Sequence, residues 1–152
     1  MITVGIDPGT TQSAYVAFDG DRVIESMIVS NEDVLTLVQI KRYDQIVCEM
    51  IQSYGMPVGK ETFETVYWIG RFAEASAVPF HRIYRGDVKM HFCHSMRAKD
   101  SNVRQALIDR FPPSGGGKTP QVGTTKQKGP LYGVKSHARQ ALAAAIAWRE
   151  TR

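Results

Sequence analysis

The chain has 152 residues, of which 43% are hydrophobic, and a formal net charge of +4. That length suits one domain with a substantial core, so a single domain over residues 1–152 is expected. No apolar run is long enough to cross a bilayer and no signal-peptide pattern opens the chain, which points to a cytoplasmic protein with no membrane partner. The two cysteines, Cys48 and Cys93, lack metal-site spacing and read as free thiols rather than a disulfide framework. Charge is unevenly spread. Up to Ala75, five Lys and Arg face eleven Asp and Glu; from Ser76 onward, fourteen basic residues face four acids. A basic second half suggests an anionic macromolecular partner, with nucleic acid the first expectation.

In chain order, Ile2, Val4 and Ile6 alternate with Thr3, Gly5 and Asp7, the period-2 pattern of a half-buried strand. Pro8-Gly9 turns the chain at once, so Asp7 stands at the mouth of a sheet. It either caps the turn or serves as a rigidly held functional carboxylate. Gln12–Phe18 and Arg22–Val29 read as two further strands joined by the turn Asp19-Gly20-Asp21. Ser30 is placed to cap a helix reaching about Ile40. Tyr43–Ile51 is a continuous apolar run, the mark of a strand covered on both faces and parallel to the first. Glu49 lies inside it, where an unpaired charge is costly, and this favours a functional carboxylate.

Gln52–Lys60 reads as a loop displaying Tyr54. Lys60 to about Ser76 reads as an amphipathic helix with Phe63, Val66, Tyr67 and Gly70 on one stripe, and Tyr67 and Trp68 as packing residues. Phe80–Tyr84 is expected as a fifth strand, Asp87-Val88-Lys89 as the start of a short basic segment, and Asn102–Phe111 as a helix. Residues 112–130 hold Lys118, Lys126 and Lys128 and no acid, and read as a basic flexible loop suited to phosphate contacts. Its Gly115-Gly116-Gly117-Lys118-Thr119 string lacks the spacing and the preceding strand of a P-loop. The last helix is alanine-rich, with Ser136 as its expected N-cap and His137 in its first turn. A helix N-terminus disfavours a proton on imidazole and leaves it able to bind a metal.

Three antiparallel strands, a helix, then strands alternating with helices describe an α/β, ribonuclease H-like fold with a mixed five-stranded sheet flanked by helices. In that order Asp7 and Glu49 sit on neighbouring strands. At Gly5-Ile6-Asp7-Pro8-Gly9, at Glu49 and at His137-Ala138-Arg139-Gln140-Ala141-Leu142-Ala143 the chain resembles the RuvC family of Holliday-junction resolvases. Asp87-Val88-Lys89, Arg97-Ala98-Lys99-Asp100 and Gly129-Pro130-Leu131-Tyr132-Gly133 look like its phage-type members.

The resemblance covers almost the whole chain. It implies a metal-dependent endonuclease that resolves four-way DNA junctions, acts in recombination or repair, and uses Mg2+ or Mn2+, two ions per site. Asp7, Glu49 and His137 would then be the catalytic metal ligands, with Asp7 bridging, Glu49 on one ion and His137 on the other or on the attacking water. Tyr54 would stack on bases, and Lys60, Lys89, Arg97, Lys99, Lys118, Lys126 and Lys128 would hold phosphates. The resemblance also implies a homodimer, for which the apolar helix Lys60–Ser76 is the expected surface.

Gln140 departs from the pattern, since many relatives carry a second acid there. Either three ligands with water and DNA phosphates suffice, or Asp100 or Glu64 supplies the missing acid, or the chain binds junctions without cutting. The first is preferred, because the rest of the site keeps its order and type. A related nuclease acting on RNA or flaps is the other alternative.

Overall fold

The computed structural model describes residues 1–152. Five strands form one sheet: β1 (Thr3–Asp7), β2 (Gln12–Phe18), β3 (Val23–Ser30), β4 (Gln45–Met50) and β5 (Phe80–Tyr84). Their spatial order is β3-β2-β1-β4-β5. β1–β2 and β2–β3 pair antiparallel, and β1–β4 and β4–β5 pair parallel. This is the expected mixed sheet, with β1 at its centre.

Helices cover both faces: α1 (Asn31–Val38), α2 (Lys60–Ala75), α3 (Arg85–Cys93), α4 (Asp100–Asp109) and α5 (His137–Thr151). None is long and apolar enough to cross a membrane. Alternation along the strands decides which residues meet which layer. Val4, Ile6, Ile46 and Cys48 join Val34, Val38, Trp68, Ile69 and Phe72 of α1 and α2. Ala14, Val16 and Val47 turn the other way, against α4, α5 and the segment leading into α5. Asp7 and Glu49 share the parity of Gly5 and Val47, so both carboxylates belong to the α5 face.

Helix α5 lies unusually close to the sheet. A methyl group on Gly5 would stand 2.0 Å from the Ala141 carbonyl oxygen and 3.0 Å from the Ala145 side chain. Glycine under a run of alanines is what permits that approach, and all of Ala141 to Ala147 is buried.

Several local expectations change. The residues read as a short basic segment from Asp87 form helix α3, which buries only Gly86 and Val88 and so shows little apolar periodicity. Ser136 does not cap α5 with its side chain. It takes φ 51°, ψ −126°, and the first turn closes instead through Ala138 N–H to Lys135 O at 2.9 Å and Arg139 N–H to Ser136 O at 3.1 Å.

Helix α2 buries Thr65, Trp68, Ile69 and Phe72. The stripe read as its packing face points outward, with Phe63 67% and Tyr67 58% exposed. The large Trp68 and Phe72 side chains outcompete that stripe for the sheet. Residues 112–130 form a compact loop with its own backbone hydrogen bonds. Gly115 N–H donates to Pro120 O, Gly116 N–H to Gln127 O and Gly129 N–H to Val122 O, each within 2.9 Å. Lys118, Lys126 and Lys128 remain exposed on it.

Replacing Gly5 with Ala is expected to lower folding stability by about 3 kcal/mol, because backbone rather than a side-chain tip must give way. Urea unfolding of Gly5→Ala against the native chain measures it.

Candidate active site

The turn after β1 is fixed from below. Asn31 is fully buried; its side chain donates to Gly9 O at 2.9 Å and accepts from Ser13 Oγ at 2.6 Å, while Ser13 Oγ accepts from Gly9 N–H at 3.1 Å. Both backbone polar groups of Gly9 therefore have partners, and the turn that follows Asp7 is held in place. Ile6 pairs with Cys48 across the parallel β1–β4 ladder, and Asp7 and Glu49 are the next residues on the two strands. They are 7% and 5% exposed.

These carboxylates, with Pro8, Met50, Ile51, Tyr54, Arg85, Lys89, Met96 and His137, line a cavity of about 630 Å³. His137 Nδ1 lies 2.8 Å from Asp7 Oδ2. Glu49 is held at both oxygens: Arg85 Nε donates to Oε1 at 2.9 Å, and Gln140 Nε2 donates to Oε2 at 2.8 Å. Arg85 also reaches Asp100 through Nη1, at 3.0 and 3.2 Å.

Burial and the neighbouring Glu49 carboxylate both oppose ionisation of Asp7. Burial first, and then the charge of Glu49, push Asp7 from 3.8 up to about 6, against the pull of His137. Burial opposes the charge of Arg85, yet Glu49 and then Asp100 outweigh it and hold the guanidinium above its ordinary value. No three His, Cys, Asp or Glu side chains cluster closely enough to hold an ion among themselves. The donor set still fits a hard cation. Asp7 and Glu49 offer carboxylate oxygens, each ionised oxygen has a second lone pair, and a divalent ion would relieve the repulsion that burial creates.

Of the residues singled out in the sequence, Asp7, Glu49, His137, Tyr54 and Lys89 line this one cavity. Tyr54 is exposed and takes φ 54°, a left-handed conformation that costs energy for a non-glycine residue. Lys60, Arg97, Lys99, Lys118, Lys126 and Lys128 are exposed but line neither this cavity nor its neighbour. Asp100 is committed to Arg85, and Glu64 stands exposed on α2, so neither takes the place of the acid absent at Gln140.

Sequence reasoning missed Arg85. It follows β5 directly, where Met50 pairs with Tyr84, and only that strand register reveals its reach to Glu49. It also missed Arg104 and Arg139, which line a smaller cavity of about 190 Å³ together with Arg85, Asp100, His137 and Gln140.

In the presence of EDTA, Asp7→Asn is expected to be more stable than the native chain at pH 8, by about 2 kcal/mol. The folded-state value lies above the ordinary one, so the charged form carries the penalty. That penalty is present above pH 6 and fades as pH falls through 6 towards 3.8. The stability gap should therefore shrink between pH 8 and pH 5, which thermal melts of the two proteins across that range would measure.

No protein-family model and no curated protein matches the chain. Solved structures do. RuvC from Thermus thermophilus superposes with a TM-score of 0.65 at 17% identity, covering 97% of this chain and 92% of that one. The same protein in complex with a Holliday junction substrate gives a TM-score of 0.65 at 18% identity, with the same coverage. The chain has the ribonuclease H-like fold of RuvC.

Proposed function

We propose that this protein is a metal-dependent, structure-specific endodeoxyribonuclease that resolves four-way DNA junctions by paired phosphodiester hydrolysis. The observation that carries the reading is the pair of buried carboxylates, Asp7 and Glu49, side by side at the ends of β1 and β4 and met by His137 from α5. The fold shared with a RuvC that has been solved on a Holliday junction supports the substrate class.

Asp7 and Glu49 would hold the ion. A divalent ion such as magnesium or manganese, if bound there, would supply Lewis acidity to the phosphodiester and help activate the attacking water. The protein's own contribution is orientation. His137 uses Nδ1 to fix Asp7, and its ring, 73% exposed at the side chain, lines the same cavity. Of the two roles the resemblance implies for His137, this arrangement favours the one on the attacking water. Arg85 and Gln140 keep Glu49 in one rotamer. Tyr54 and Lys89 at the rim offer a base-stacking face and a phosphate contact.

Paired nicks on symmetry-related strands need two sites, and a C2 dimer supplies them. The outward stripe of α2 is the surface we assign to it. Phe63 and Tyr67 are exposed there, beside a groove of about 590 Å³ between α1 and α2 lined by Leu35, Val66, Tyr67, Gly70 and Arg71. The exposed lysines of the 112–130 loop and of the α3–α4 connection then extend the DNA-binding surface.

The second reading, a junction-binding protein that does not cut, is favoured by Gln140, which puts an amide on Glu49 where a further acid would complete a richer metal site. A nicking assay separates the two. Synthetic four-way junctions with Mg2+, Mn2+ or EDTA, beside linear duplex, flap and RNA controls, should give symmetric, metal-dependent nicks on the junction. Asp7→Asn should lose about a hundredfold or more of that activity, since loss even of an outer-shell partner of a metal ligand costs 10- to 100-fold. It should retain junction binding. Tight binding without nicks in either metal would establish the second reading instead. Junction affinity should fall with salt at a log–log slope of about −4.5, the release expected from roughly five phosphate contacts; titrations between 50 and 200 mM salt test it.

A further inference from the structure

We propose that Arg85 is a built-in counter-cation for Glu49 that, together with Gln140, restricts the carboxylate site to a single divalent ion. The inference rests on the metal-dependent reading above and departs from the two ions that the resemblance implies.

Four hydrogen bonds carry it, two onto Glu49 and two onto Asp100. Arg85 Nε and Gln140 Nε2 donate to the two oxygens of Glu49 at 2.9 and 2.8 Å, so each oxygen has already spent one acceptor site on a protein donor. Arg85 cannot easily swing aside, because Asp100, the first residue of α4, grips its Nη1 at 3.0 and 3.2 Å. The following residue, Gly86, is buried, and a Cβ there would meet Met96 Cε at 2.5 Å and Tyr54 Oη at 2.8 Å. The start of α3 is thus wedged beneath the cavity rim.

Charge and acceptor supply agree. Asp7 and Glu49 bring two negative charges, and Arg85 returns one positive charge to the same cavity. On Asp7, Oδ2 is taken by His137 and Oδ1 makes no hydrogen bond to the protein. The free acceptor positions therefore gather on Asp7 and on the remaining lone pairs of Glu49, enough for one coordination sphere completed by water and phosphate. The flank of Glu49 where a second ion would need acceptors presents N–H donors, one of them on a full positive charge. Two cations in contact repel strongly in a partly buried site. Gln140, whose amide replaces the acid that would draw a second ion, and Arg85 act in the same direction. Arg85 is a positioning residue here, acting through Glu49.

The test is Mn2+ binding by the full chain without DNA, followed by the electron paramagnetic resonance signal of free Mn2+ and by thermal shift. The native chain should saturate at one ion. Arg85→Gln should bind the first ion about tenfold more tightly, since a nearby like charge has been removed, and should admit a second. Arg85→Lys, which keeps the charge, should return to one. Saturation of the native chain at two ions overturns the proposal while leaving the nuclease reading intact. Absence of Mn2+ binding overturns both. An Arg85→Gln chain identical to the native one in affinity and stoichiometry also overturns it. If circular dichroism shows Arg85→Gln unfolded, Gln140→Asp decides: a second equivalent appears there under the proposal, and an unchanged count refutes it.

Discussion

The contact between Gly5 and the backbone of Ala141 governs this structure. A helix packed on a sheet through ordinary side chains stands about 10 Å away, and its first turn would then overhang the strand ends loosely. Here the absence of a side chain at Gly5 and the run of alanines on α5 bring helix backbone onto strand backbone. Position 141 is one turn beyond His137 and next to Gln140. Fixing Ala141 over the middle of β1 therefore fixes His137 over Asp7 and Gln140 over Glu49, at 2.8 Å in each case. Packing in the second turn of the helix becomes registry in the first.

That registry brings an electrostatic burden. Two carboxylates under a dry alanine helix have lost most of their water, and the rise of Asp7 to about 6 expresses the cost. Each is compensated locally, Asp7 by His137 and Glu49 by Arg85 and Gln140. The compensation is uneven. Glu49 receives a full positive charge and an amide, whereas Asp7 receives one imidazole that stays largely exposed. Asp7 is left as the under-satisfied partner, and an unsatisfied buried anion is where an incoming cation gains most.

The fold was legible because its signals are local. Alternation at Ile2-Val4-Ile6, the Asp19-Gly20-Asp21 turn and the continuous run around Val47 each specify a strand without help from the rest of the chain, and their order implies the sheet. Asp7 and Glu49 were legible for a related reason, since a charge in an apolar run stands out. Arg85 was not. It sits among charged residues at a strand–helix junction, and only the β4–β5 register, Met50 opposite Tyr84, turns it towards Glu49. Helix α3 escaped notice because two buried residues out of nine leave almost no periodicity. On α2, Trp68 packs as expected while Tyr67 and Phe63 face outward, because both sides of the helix carry aromatics. Composition alone does not say that Trp68 and Phe72 rather than Phe63 and Tyr67 meet the sheet.

Gln140 and Arg85 make most sense as a pair. An acid at residue 140 beside Glu49 would add a third, half-buried carboxylate next to two that already repel, and would raise the demand for cations there. An amide at that position and an arginine opposite remove the need. Glu49 is then satisfied by protein donors alone, and Asp100 completes the chain of charge outward to solvent. These donors keep the strand ends in order, and the remaining deficit is concentrated on Asp7 Oδ1. A site so arranged is ordered by protein donors alone, and under the single-ion proposal a cation would be drawn to Asp7.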